Sequence, residues 1–487
     1  MRLKHRPQLN SRNQHGAAFI IMLVILVLGI TTMFVNSLSN SAMQNARDRV
    51  TAESLAQAKE ALIGYALKVQ VSNSNGCVPN CPRPGDLPCP DTNNDGLQES
   101  SCGNASGSTG QSSRIGRLPW KTLGLPDLRD GSGERLWYAV SNNFKYSTRT
   151  ATLNSDTPGT ISVFAPDGTQ LNNGASTTGA VAIVIAPSTA ITRQDNILQD
   201  RSCTVGTNCT TAEVCTTTPH TATPKCNPIN YLDVATLNGI QHDNASFIDS
   251  SVTDGFIQGR VNSYDPATRT DNILINDQIL PLTSESIMLG IQKRVAAEVK
   301  NCLVDYALNN NDRYPWAAPT SESGSNYNDN AAVYFGRIPD TMNDTKSDSW
   351  NGSSYQMSYQ WESNCNTHNN NTPSGWWLSW KELVFYGVAR SFRPNDTPPS
   401  SFPSVCTTAG RCLNINNATT PAKFVVLVAG KKLSTPNQTN RSANKADRFY
   451  YLEGGNESVS INPPSDTSNT FVLSAPTDSF NDTLIYQ

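Results

Sequence analysis

The segment Asp91-Thr92-Asn93-Asn94-Asp95-Gly96-Leu97-Gln98-Glu99 places side-chain oxygens at every second position and a glycine where the chain must turn. Calcium takes about six to eight such oxygens, and an EF-hand loop begins this way. The twelfth position is Cys102, where a bidentate glutamate belongs, so Asp91, Asn93, Asp95 and Glu99 form a calcium candidate only if Glu99 bends back into the loop. An Asx-rich turn between Cys89 and Cys102 is the alternative.

Cysteine is the second chemistry-bearing type. The twelve form three clusters of four: Cys77, Cys81, Cys89, Cys102; Cys203, Cys209, Cys215, Cys226; and Cys302, Cys365, Cys406, Cys412. Even counts in loop-rich sequence fit local disulfides in an oxidising compartment, whereas a cytosolic address would favour zinc. Cys406 and Cys412 flank Thr407-Thr408-Ala409-Gly410-Arg411, and the glycine lets the chain reverse, so these two are expected to pair. Cys302 then falls to Cys365 by elimination. The first two clusters each leave three pairings open.

Five of the eight tryptophans, Trp350, Trp361, Trp376, Trp377 and Trp380, lie close together in the chain with Tyr355 and Tyr359. Such rings stack on sugars or anchor a partner when exposed, and fill a core when buried. Outside the first sixteen residues the histidines are His220, His242 and His368, scattered in polar sequence. There is no H-E-x-x-H, G-x-S-x-G or phosphate-binding loop, so the chain reads as something other than an enzyme.

These residues need elements to position them. Residues 17–35 carry no charge, and Arg2, Lys4, Arg6 and Arg12 precede them without an acid. An uncharged stretch of about twenty residues can span a bilayer as a helix, and the basic flank would stay in the cytoplasm. That reading makes disulfides the expected state of the cysteines. Helical spacing continues through Leu55, Ala58, Leu62, Tyr65, Ala66 and Val69. The first sixteen residues leave 33 basic against 40 acidic residues, a net of −7, with no basic patch for nucleic acid.

A basic leader ending in Gly16, an uncharged helix start and an amphipathic continuation resemble type IV prepilins and type II secretion pseudopilins. The resemblance implies cleavage by a prepilin peptidase between Gly16 and Ala17, a single pass through the bacterial inner membrane with a cytoplasmic N-terminus and periplasmic body, and a place on a surface filament after assembly. It also implies that other pilin-like subunits pack through the N-terminal helix. Major pilins carry a glutamate five residues into the mature chain; Ile21 stands there, and several minor pilins and the large tip pseudopilin share the lack of that glutamate. The turn Asp127-Leu128-Arg129-Asp130-Gly131-Ser132-Gly133-Glu134 is similar to the calcium-binding turn of major pseudopilins, which makes Asp127, Asp130 and Glu134 a second calcium candidate.

The body also repeats itself. Ala61–Leu67 returns as Cys302–Leu308, Gly116-Arg117-Leu118-Pro119 as Gly336-Arg337-Ile338-Pro339, and Leu136–Val140 as Val384–Val388. The order continues with Val181–Ala186 and Val425–Ala429, Arg201 and Arg441, Tyr231-Leu232-Asp233 and Tyr451-Leu452-Glu453, then Asn276–Leu280 and Asn481–Ile485. A second helix is expected from Thr283 or Ser284, with a stripe of Ile287, Ile291, Val295, Val299, Leu303 and Tyr306.

The expected fold is therefore α+β: a long membrane-spanning N-terminal helix, then two tandem units, each a helix packed on an antiparallel sheet with long disulfide-pinned loops. The expected organisation is a leader at 1–16, a membrane helix at 17–36, and pilin-like domains at 37–282 and 283–487. The expected role is a minor pilin or pseudopilin that initiates, caps or decorates a filament; a tip-displayed adhesin is the alternative.

Overall fold

The motif Gly-Arg-(Leu/Ile)-Pro opens two sheets, and its residue types explain how they are built. The computed structural model describes residues 15–68, 83–103, 114–147, 152–201, 214–215, 224–266, 270–310, 312–322, 327–330, 333–340, 348–350, 353–355, 376–394, 406, 412–434, 438–443, 447–460 and 469–487, with only the backbone described for 15–41, 224, 264–265, 270–271, 309, 348–350, 353–355 and 442–443. The first sheet joins β1 (Ile115–Arg117), β2 (Trp137–Val140), β3 (Ala180–Ala186) and β4 (Gln278–Thr283) in that order. The second joins β5 (Phe335–Arg337), β6 (Val384–Val388), β7 (Phe424–Val428) and β8 (Thr483–Tyr486). Every pairing in both is antiparallel.

The two sheets agree in register. One row of the first runs Gly116, Tyr138, Val184, Leu280. The corresponding row of the second runs Gly336, Tyr386, Val426, Ile485. An incoming segment crosses each edge strand: Asp91 and Arg117 exchange backbone hydrogen bonds of 3.0 and 2.7 Å, and Ala318 and Arg337 exchange bonds of 3.0 and 2.8 Å. A Cβ on Gly116 would sit 2.6 Å from the Asp91 carbonyl oxygen, and one on Gly336 2.0 Å from that of Ala318. Glycine is required because another backbone lies where a side chain would stand. Tyr138 and Tyr386 then tie down the crossing segments, donating to the Pro88 and Pro315 carbonyls at 3.1 and 3.0 Å.

Helix α1 (His15–Lys68) presents Thr51, Ser54, Leu55, Ala58, Leu62 and Ala66 as buried positions, the three-and-four spacing of one helical face. Helix α2 (Ser284–Asn309) follows β4 without a linker, and Ile287, Ile291, Val295, Val299, Leu303 and Tyr306 are all buried. Thr283 stands at the N-cap of α2 in extended conformation, and its side chain makes no capping hydrogen bond. Both helices face one continuous core containing Leu62, Tyr138, Val184, Leu303, Tyr386 and Val426. The other face of the first sheet, with Trp137, Ala139, Ile183 and Ile185, meets Tyr231, Phe247 and Phe256. Coverage on both faces explains why Ala180–Ala186 is apolar throughout and does not alternate.

The expected fold class requires correction. Among the described residues no helix is long and apolar enough to cross a membrane. The side chains described on α1 include Arg47, Asp48, Arg49, Glu53, Lys59 and Glu60, and α2 carries Lys293, Arg294, Glu298, Lys300 and Asp305. Hydrocarbon does not accept charge at that density, which excludes those stretches of α1 and α2 as spans. The membrane-spanning helix, the single-pass inner-membrane address, and the cytoplasmic and periplasmic placement that depended on it are withdrawn. The strands are also divided more finely than two sheets. Small additional sheets include parallel pairings of Val163–Phe164 with Phe256–Ile257 and of Asn414–Asn416 with Thr470–Val472.

Candidate functional site at the base of helix α1

From Ala42 to Val50 every described side chain of α1 is exposed or half-buried, and burial begins at Thr51. The turn Asp127–Glu134 grips the helix at this point. The Gly131 N–H donates to Thr51 Oγ1 at 3.0 Å, and Ser54 Oγ donates to the Arg129 carbonyl at 2.7 Å. Asp130 shapes the turn: Oδ1 accepts the Ser132 and Glu134 N–H groups at 2.8 and 3.0 Å, and Oδ2 accepts that of Ser188 at 2.8 Å. Asp127 binds Arg135 at 2.9 Å and Arg129 at 2.7 Å, and these two guanidiniums hold its carboxyl below its usual range against the opposing effect of burial. Glu134 lies 3.5 Å from Arg201. The structure thus places Asp127, Asp130 and Glu134 in a turn that locks a helix, with donors already on each carboxylate.

Beside this grip lies a cleft of about 730 Å³, bounded by Gln44, Arg47 and Asp48 of α1 and by Asn276 and Gln278 at the start of β4. Gln278 Nε2 reaches Asp48 Oδ1 across it at 3.4 Å. A second cleft, of about 430 Å³, occupies the corresponding position at the start of α2, between Glu285, Met288, Leu289, Lys431 and Asn481. Glu285 and Lys431 bridge it at 2.8 Å. On α1 itself, Met43 and Val50 are exposed to 54% and 41%, one above the other two turns apart.

The first calcium candidate is also engaged internally. Buried Asp91 accepts the Asp95 N–H at 3.2 Å and the Gly96 N–H at 2.7 Å, and burial raises its carboxyl to about 7. Asn93 Oδ1 accepts the Asp95 N–H at 2.9 Å, Asp95 Oδ1 that of Leu97 at 2.7 Å, and Glu99 bonds Thr92 at 2.9 Å. This is the hydrogen bonding of a compact Asx turn. Among the described residues no group of three or more His, Cys, Asp or Glu side chains is placed to hold a metal.

The tryptophans require a further correction. Trp376, Trp377 and Trp380 are buried to 1%, 1% and 0% exposure, so their faces pack the core and are closed to a ligand. Trp377 Nε1 donates to Asp340 Oδ1 at 2.8 Å, and Lys381 bridges the same buried carboxylate at 2.7 Å. The Trp350 side chain and Trp361 lie outside the described residues, as do Cys365 and the Ala17 side chain, and of Gly16 only the helical backbone is described. Disulfides join Cys89 to Cys102, Cys215 to Cys226, and Cys406 to Cys412. Cys302, buried on α2, is also disulfide-bonded.

Two repeated clusters escaped the sequence reading. Arg117 lies between the rings of Trp137 and Tyr231, at 4.3 and 3.9 Å, and Arg337 between Phe385 and Tyr451, at 4.2 and 4.7 Å. Asp233 and Asp277 each accept the other's backbone N–H, at 3.2 and 2.8 Å, and so do Glu453 and Asp482, at 3.2 and 3.0 Å. The signal was present, because each of these residues falls in a matched segment of the two halves, but matching alone does not say that two acids meet. The chain matches no family model, no curated protein and no solved structure.

Proposed function

We propose that the chain is a subunit of a pilin-like helical filament, which it initiates, caps or decorates, and that α1 is its assembly element. The observation that carries this reading is the unequal use of α1. Only its last turns, from Thr51, are buried in the body, while the described turns before them display Met43 and Val50 to solvent. A helix gripped at one end by a shaped turn and apolar on an outer stripe is suited to packing against helices of other subunits. The leader pattern ending in Gly16 adds prepilin peptidase as a processing partner.

The test is a photocrosslinking residue in place of Val50, in cells that express the whole assembly. The expected product joins this chain to the N-terminal helix of another filament subunit, identified from the crosslinked peptide. Crosslinks confined to proteins without such a helix, or none at all, overturn the proposal.

A further inference from the structure

A small polar pocket of about 160 Å³ opens beside the Asp127–Glu134 turn, and five basic residues stand in its lining. Arg117, Arg129, Arg135, Arg201 and Lys225 line it, with Glu134 as the one carboxylate among the described lining residues, while Arg129 and Arg135 are paired with Asp127. We propose that this pocket is a binding site for a carboxylate group brought by a ligand or a partner chain.

The geometry of Arg117 leads to this. Its side chain is 4% exposed and fixed between the rings of Trp137 and Tyr231, so it cannot swing away to bulk water. Nη1 and Nη2 donate to the carbonyls of Arg135 and Lys225, at 2.9 and 3.3 Å, and Nε has no hydrogen-bond partner among the described residues. Carbonyls satisfy donors without cancelling charge, and a buried cation without an anion is destabilising. Burial lowers its affinity for a proton; Tyr231 and Glu134 oppose that effect, and Arg135 and Arg201 add to it.

The second half of the molecule supplies the internal comparison. Arg441 corresponds to Arg201: its Nη1 donates to the Gly430 carbonyl, as that of Arg201 donates to Ser188. There the same nitrogen also holds both oxygens of Asp156, each at 3.0 Å, a carboxylate delivered from a distant part of the chain. Among the described carboxylates Arg201 meets Glu134, at 3.5 Å, and its other donors go to the carbonyls of Pro187, Ser188, Asn230 and Tyr231 and to Gln199 Oε1. The repeat therefore shows which chemical group this arginine takes when one is offered. A planar, two-oxygen acceptor suits guanidinium forks, and a pocket of this volume admits the head group of an acidic side chain or small organic acid.

The experiment is calorimetric titration of the whole chain with N-acetylglutamate and, separately, with inorganic phosphate. N-acetylglutamate is expected to bind. Lys225→Gln, at the pocket wall, should weaken it about tenfold, the loss of one charge-assisted contact. Glu134→Gln removes the competing internal carboxylate and should tighten it. No binding by either the native chain or Glu134→Gln overturns the proposal. So does binding unaffected by Lys225→Gln, which places the ligand elsewhere, or a preference for phosphate, which removes the carboxylate as the recognised group. The gain with Glu134→Gln keeps the test independent of variants that simply misfold.

Discussion

Replacing Asp277 with asparagine should reverse the sign of its effect on stability between pH 7.5 and pH 4. Asp277 is fully buried; Oδ2 accepts the Asp233 N–H at 2.8 Å and an N–H of Asn244 Nδ2 at 2.9 Å, while Oδ1 has no hydrogen-bond partner among the described residues. Asp233, also fully buried, accepts from Asn276 and Asp277 at 2.7 and 3.2 Å and from Gln199 at 2.7 Å. Burial first, and for Asp277 the neighbouring charge of Asp233, raises Asp233 to about 6 and Asp277 well above its ordinary value. An acid raised on folding favours the folded state below its unfolded value near 4, and that contribution is lost as pH climbs through the folded value. For Asp233 the rise to about 6 corresponds to something on the order of 3 kcal/mol, lost between roughly pH 4 and 6. Asparagine keeps an acceptor at Oδ2, removes the second charge, and lets Asp233 ionise near its ordinary range. Its N–H₂ then lacks an acceptor, a penalty of about 1–2 kcal/mol. The balance is a gain on the order of 2 kcal/mol at pH 7.5 and a loss of about 1–2 kcal/mol at pH 4. Denaturation midpoints in guanidinium at the two pH values read this directly. An Asp277→Asn chain less stable than the native one at pH 7.5, or one whose effect does not change sign, refutes the reasoning. Asp482, raised in the same way by burial and by Glu453, should show the same crossing.

Gly336→Ala should destabilise by about 3 kcal/mol, because its Cβ would stand 2.0 Å from the Ala318 carbonyl and lift the crossing segment from β5. Gly64→Ala, in α1 with nothing within 4 Å of the new methyl, should instead stabilise by about 0.5–1 kcal/mol; denaturant midpoints of both variants check the pair. Asp340→Asn should cost about 3 kcal/mol in the same assay, since it leaves Lys381 charged at 2% side-chain exposure without its carboxylate. Non-reducing peptide mapping should return Cys89 linked to Cys102, Cys215 to Cys226 and Cys406 to Cys412, and a thiol at any of the six that alkylates without reductant contradicts the structure.

What could be read from the sequence, and what could not, divides along the range of the interactions. The apolar stripe of α2 and the uninterrupted runs of β3 and β7 were legible because burial imposes a period, or removes one, within a single element. The Gly-Arg motif was visible as a repeat, but its meaning was not. The glycine answers to a backbone in a crossing segment more than fifteen residues away, and the arginine to rings on other strands. The tryptophans misled for a related reason, since a cluster in sequence says nothing about which side of a sheet it meets, and Trp376, Trp377 and Trp380 meet the core. The acidic turns are ambiguous in a subtler way. Oxygens at alternate positions are what calcium selects, and they are also what backbone N–H groups select in a tight turn. At Asp91 and Asp130 the backbone donors are already in place. Where two explanations share one donor set, the distinction lies in the turn's own N–H groups, which no side-chain pattern reveals. The repeat offers a way through that ambiguity. Asp91 occupies the same crossing position as Ala318, which has no carboxylate, so the backbone pairing at this point does not depend on a metal ligand. What Asp91 adds to that shared frame is the turn it closes through Gly96.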